Sequence, residues 1–118
     1  MIRIALCGLA IATALSLSAA HAVPKMAYGA GMITCGEWQK FRSTGDKPGM
    51  YQSQAWIDGY LSGSNRSGNG PDFIGPNPSS VTYYAWIDIY CAQHPLDTLM
   101  LAVFKLEKEL ASRVQGLH

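Results

Sequence analysis

Two cysteines, Cys35 and Cys91, and the compartment the N-terminus assigns to them constrain this chain more than any other feature. A single cation, Arg3, precedes an uncharged run from Ile4 to Ala20, and Ala20-His21-Ala22 follows. A charged start, an apolar middle and small residues at the two positions a signal peptidase reads are the plan of a secretory signal peptide, cleaved after Ala22. The apolar run is at the short limit for a membrane span, so a retained anchor is the alternative. No later segment is long and apolar enough to span. Cys7 leaves with the signal, and its early position and the Leu6 before it do not suit a lipoprotein. In an oxidising compartment the two remaining cysteines most simply form one disulfide. A bridge from position 35 to position 91 closes most of the domain. Loop entropy gives that closure roughly 4 kcal/mol, a large share of the stability of a small domain.

Removing 22 of the 118 residues leaves 96, enough for a single domain over 23–118 with its folded part at about 33–115. Hydrophobic residues are 48% and charged residues 14%, the opposite of a disordered composition. The formal charge of +1 falls to zero with the loss of Arg3. No basic excess exists to bind nucleic acid phosphates. The expectation is a periplasmic or secreted protein with no nucleic acid partner and, after cleavage, no membrane contact.

Hydrophobic periodicity predicts four helices and no strand of convincing length. Val23 to Met32 has no period and reads as a loose lead-in. Thr34-Cys35-Gly36-Glu37 is a capping box, with Ile33 and Trp38 at the flanking staple positions. The first helix ends near Ser43, before the turn cluster Gly45-Asp46-Lys47-Pro48-Gly49. The second covers about Tyr51 to Asn65, with Trp56, Ile57, Tyr60 and Leu61 at helical spacing. Its Ala55, Gly59 and Gly63 form a row where another helix can approach closely; a frayed end at Gly63 is the alternative. Residues 66–80 are a long Gly/Pro/Asn/Ser loop anchored by Phe73 and Ile74. Ser79 or Ser80 caps a third helix that runs to about Gln93 and is apolar around its circumference, which places it centrally or at an oligomer interface. Pro95 fits the first turn of a fourth helix. That helix runs to about Gln115, with a buried stripe of Leu96, Leu99, Met100, Val103, Leu106, Leu110 and Val114. Asp97 suits its N-terminus, Glu109 and Arg113 pair at i, i+4, and Gly116 stops it. The fold class is all-α: a small four-helix domain stapled by one disulfide.

One segment recurs. Ala55-Trp56-Ile57-Asp58-Gly59-Tyr60 returns as Ala85-Trp86-Ile87-Asp88-Ile89-Tyr90. Two copies are too few for a solenoid, and a paired helix arrangement and coincidence both stay open. Asp58 and Asp88 hold equivalent places and are candidates for paired acid–base chemistry of the glycosidase kind. The alternative is two helix-face carboxylates, solvated or accepting from a tryptophan N–H. Cys91 and His94 are spaced C-x-x-H and, with Cys35 and the terminal His118, would make a zinc set, which the oxidising compartment disfavours. Gly70 and Gly75 have P-loop separation, but Pro76 stands where lysine is required. Asn65-Arg66-Ser67 is a glycosylation sequon. No catalytic constellation, cofactor or metal is expected.

Thr34-Cys35-x-Glu37-x-x-x-Phe41 and Ile87-x-x-Tyr90-Cys91-x-x-x-Pro95 resemble the HdeA/HdeB family of periplasmic acid-stress chaperones over residues 33–112. Here Trp38 takes the family's aromatic position and His94 replaces the asparagine before Pro95. Helices two to four are also similar to type VI secretion immunity proteins of the Tai/Rap kind, through Gly59-Tyr60-Leu61-Ser62-Gly63 and Tyr90-Cys91-Ala92-Gln93-His94-Pro95. The first resemblance implies a neutral-pH homodimer that opens in acid and holds unfolded client proteins. The second implies neutralisation of a cognate effector by binding. In either case the candidate interaction surface is Trp56, Tyr60, Trp86, Ile89 and Tyr90, and the candidate pH-sensing groups are His94, Asp58 and Asp88.

Overall fold

Thr34 begins the folded chain by satisfying its own helix. Its hydroxyl accepts from the Glu37 N–H at 3.1 Å, and the Glu37 carboxylate accepts from the Thr34 N–H at 2.8 Å. In the computed structural model, which describes residues 26–116, this capping box opens helix α1, Cys35–Thr44. Helices α2 (Lys47–Ser67), α3 (Ser80–Gln93) and α4 (Leu99–Gln115) follow, and a single 3-10 turn, Ala30–Met32, precedes them. The described residues contain no strand. The expected signal peptide, residues 1–22, lies outside them, as does His118.

Each boundary has a local cause. Gly45 ends α1 in the left-handed region, at φ 67°, where other residues are strained. α2 starts four residues earlier than its periodicity suggests. Asp46 accepts from the Gly49 N–H at 3.2 Å, and Pro48 fits a first turn whose N–H groups lack partners, so only Gly45-Asp46 turns the chain. α2 also continues past Gly63 to Ser67. α3 is capped by Ser79. α4 starts later than expected: Thr98 caps it by accepting from the Leu101 N–H, which leaves Pro95 in the preceding turn and not in the first turn of the helix. Leu96 therefore sits in the turn, 92% exposed, and leaves the buried stripe to Leu99, Ala102, Val103 and Leu106. Glu109 pairs with Arg113 at 2.9 Å, as the spacing predicts.

α1 packs against both α2 and α3, and α4 packs against α3 and reaches α1 and α2. Trp38, Ile57, Leu61, Ile87 and Leu99 fill the core together with the cystine. Phe73 and Ile74 anchor the long loop on it. The Asn65 side chain ties that loop down, donating to Asp72 Oδ1 and accepting from the Phe73 N–H. Ala55, Gly59 and Gly63 are exposed, and no atom lies within 4 Å of a Cβ built on either glycine. The close approach expected along that row is absent because α2 buries the opposite side.

Cys35 and Cys91 form the expected disulfide, with Cα atoms 4.8 Å apart. Around it the starts of α1 and α4 cap each other. Cys35 and Gly36 donate their N–H groups to the carbonyls of Asp97 (2.7 Å) and Pro95 (3.0 Å), while Leu99 donates to Ile33 (2.8 Å). These are first-turn donors that no helix satisfies internally. Replacing both cysteines by alanine should lower unfolding free energy by about 3–4 kcal/mol at neutral pH, measured by urea denaturation. Unchanged stability would show that the staple contributes nothing.

Candidate functional site

The echoed segments occupy equivalent places on α2 and α3. Ile57 and Ile87 are both fully buried. On one flank of each, tryptophan stacks on the tyrosine one turn later. Trp56 and Tyr60 lie 5.4 Å apart at 17°, Trp86 and Tyr90 5.8 Å apart at 11°. On the other flank, each aspartate reaches a neighbouring helix. The repetition is thus a paired arrangement in which like residues do like work.

The carboxylates join helices. Asp58 accepts from the Tyr84 hydroxyl at 2.6 Å and the Ser80 hydroxyl at 3.1 Å, linking α2 to α3. Asp88 accepts from Trp38 Nε1 at 2.8 Å and from Arg42 Nε and Nη2 at 3.1 and 2.6 Å, linking α3 to α1. The Arg42 guanidinium also lies 5.4 Å over the Trp38 ring, and Trp38 and Tyr84 meet at 6.2 Å. An acid–base pair must flank one scissile bond with room for substrate. These two accept from separate donor sets between different helices, so the geometry gives them a structural role. The disulfide likewise uses up both thiols of the candidate zinc set, and a bridged sulfur is not a thiolate ligand.

His94 stands at the end of the second stack, its ring 4.5 Å from Tyr90 and its Nδ1 4.0 Å from Asp97 Oδ2. Tyr90 donates to the same Asp97 oxygen at 2.7 Å. Trp56, by contrast, is covered by the lead-in segment expected to be loose: its Nε1 donates to the Tyr28 carbonyl at 2.8 Å, and Tyr60 meets Phe104 of α4 at 5.4 Å. The interaction residues thus divide into one aromatic stack closed over by the chain and one on a helix with an open outer side. That side carries Val81 (78% exposed), Ile89 (64%), Ala85 and Ala92, with Leu96 just beyond. Leu96, which periodicity places in the buried stripe, is exposed, and Arg42 was not among the expected site residues. Arg42 had a signal in its place one turn after Trp38 on α1.

No family model, curated protein or solved structure matches the chain.

Two outcomes test these roles. Asp88→Ala strands the N–H of fully buried Trp38 and should cost about 1–3 kcal/mol in a urea melt, whereas Asp88→Asn, which keeps an acceptor, should cost less. Burial, and secondly the bonds to Asp58 and Asp97, push the Tyr84 and Tyr90 phenols up to about 12. A raised folded value favours the neutral form. The stability it confers is full below the ordinary tyrosine value near 10 and is lost as pH rises toward 12. Burial beside Glu107 raises the Tyr60 phenol as well, so tyrosinate absorbance should show at least two late phenols in the native protein that return to normal in urea, and Tyr84→Phe should remove one.

Proposed function

We propose that this exported domain is a non-catalytic binding protein that holds other polypeptides on the outer side of α3, a holdase of the kind the HdeA/HdeB resemblance implies. The observation that carries this reading is the uncharged, apolar and exposed row of Val81, Ala85, Ile89 and Ala92, continued by Leu96. Within α3 the only charge is Asp88, which Arg42 and Trp38 engage on a different flank. Apolar side chains gathered on one side of a helix are the kind of surface on which a polypeptide docks. Nothing in the core requires it, because Ile87 and Cys91 already bury the inner side.

Acid would strengthen such holding. Near pH 2 the eight carboxylates are protonated, leaving eight Lys/Arg of the cleaved chain and two histidines, about +10 in all. Self-repulsion then opposes compactness while the disulfide limits opening. The α1 cap and the loop after α2 weaken in the same range. Backbone and hydroxyl bonds from Thr34 hold the Glu37 carboxyl below its ordinary value, and bonds from Gly75, Asn65 and Ile74 do the same for Asp72. A depressed folded value confers stability that is present above the ordinary carboxylate range and is lost as pH falls through the folded value.

The test is light scattering of an unfolding client between pH 7 and pH 2 with the exported protein present. Suppression of aggregation is expected and should fall at least severalfold with Ile89→Asp. This exposed change should leave the thermal melt within about 0.5 kcal/mol of the parent. Client aggregation that is unaffected at every pH ends the holdase reading. Tight capture of a single secreted effector, with no effect on general clients, would instead favour the immunity-type reading.

A further inference from the structure

The two halves of the echo differ in what covers their tryptophans. On α2 the chain itself supplies the cover. The Tyr28 carbonyl accepts from Trp56 Nε1 at 2.8 Å, and the backbone of Gly31 runs so close to the indole that a Cβ there would stand 2.2 Å from Trp56 Cζ2. A Cβ on Gly29 would stand 3.4 Å from the same ring. A side chain at Gly31 would displace either the segment or the indole.

Trp86 on α3 has the same helical relation to buried Ile87 as Trp56 has to Ile57, and the same stacked tyrosine one turn on. Yet among the described residues no acceptor bonds to Trp86 Nε1, and no glycine backbone lies against its ring. Its neighbours at i+3 and i+7 are Ile89 and Gln93, both exposed. The corresponding residues on α2 are Gly59 and Gly63. Both stacks are half-buried, but beside the second the exposed Ile89 stands where the first has a glycine, and Ile89 belongs to the open side of α3.

We infer that the Trp86–Tyr90 platform recognises an extended, glycine-containing segment of a bound polypeptide, seated as Tyr28–Gly31 is seated on Trp56. A backbone carbonyl of the segment accepts from Trp86 Nε1. The glycine passes over the indole, and a flanking apolar side chain lies on Ile89. Trp86, Ile89 and Gln93 carry no formal charge and Asp88 is paired on the far flank, which suits an uncharged segment there; the charged groups beside the stack, Asp97 and His94, lie at its Tyr90 end. The inference rests on the polypeptide-holding role proposed above and narrows the clients to chains with such segments.

The probe is a blocked synthetic peptide copying residues 26–34, Met26 to Thr34, titrated calorimetrically into the exported protein. Saturable binding is expected below about 1 mM, with affinity about tenfold lower for Trp86→Ala and severalfold lower for Trp86→Phe, which keeps a ring but loses the N–H. The same peptide with Gly31→Val should bind at least about tenfold more weakly to the parent protein. Circular dichroism melts establish that Trp86→Phe remains folded. No saturation, or equal affinity for the valine peptide or for Trp86→Phe, overturns the inference. So does a dimer of the free protein that Trp86→Ala dissociates, since the occupant is then a second copy. Failure of the peptide while Ile89→Asp still abolishes client holding removes only the glycine rule. Glycine-dependent binding without any client holding removes only the holdase.

Discussion

The junction where α1, α3 and α4 meet is the constraint on which the rest of the domain depends. Within a few residues, Cys35 is bonded to Cys91 through sulfur and to Asp97 through its amide, while Leu99 returns a bond to Ile33. Two helix N-termini that would each need separate caps satisfy one another's first-turn donors, assisted by Thr34 and Thr98. The disulfide fixes the end of α3 to the same point. Everything between, α2 and the long loop included, is an excursion whose two ends are held together.

From that junction the helices are tied outward by polar bonds set into an apolar surround. Asp88 ties α3 to α1 and Asp58 ties α2 to α3, each through an aromatic donor. Desolvated neighbours make such bonds costly to leave half made, which favours one arrangement of the helices over others. The internal echo is therefore a repeated device for joining helices: an isoleucine in the core, an aspartate to the neighbour, and a tryptophan–tyrosine stack on the opposite flank. The device leaves the exposed outer side of α3 without a structural role.

Much of this was legible in residue order. The capping box at Thr34, the cap at Ser79, the loop anchors Phe73 and Ile74, the Glu109–Arg113 pair and the cystine all follow from local rules or simple cysteine arithmetic. The failures share a cause: periodicity says which residues are apolar but not which side a tertiary partner covers. Leu96 fits its stripe and lies in water, while Gly59 and Gly63 fit a packing row that meets nothing. Arg42 and the Tyr28 carbonyl were missed because each acts on a residue far away in the chain. Asp46 and Pro48 looked like turn formers, but Asp46 is the cap of α2 and Pro48 lies in its first turn.

The junction also has a consequence for the order of events. A chain made from its N-terminus presents Cys35 long before Cys91, which follows at a separation of 56 residues, and the carbonyls of Pro95 and Asp97 come later still. Until they arrive, α1 has its own capping box but neither of the backbone acceptors that hold its first turn. α1 and α2 can form only a provisional pair, and the decisive contacts are made across a long stretch of sequence. Such late, non-local closure slows a domain relative to bundles whose neighbouring helices settle in turn. It also leaves one thiol without its partner for most of synthesis.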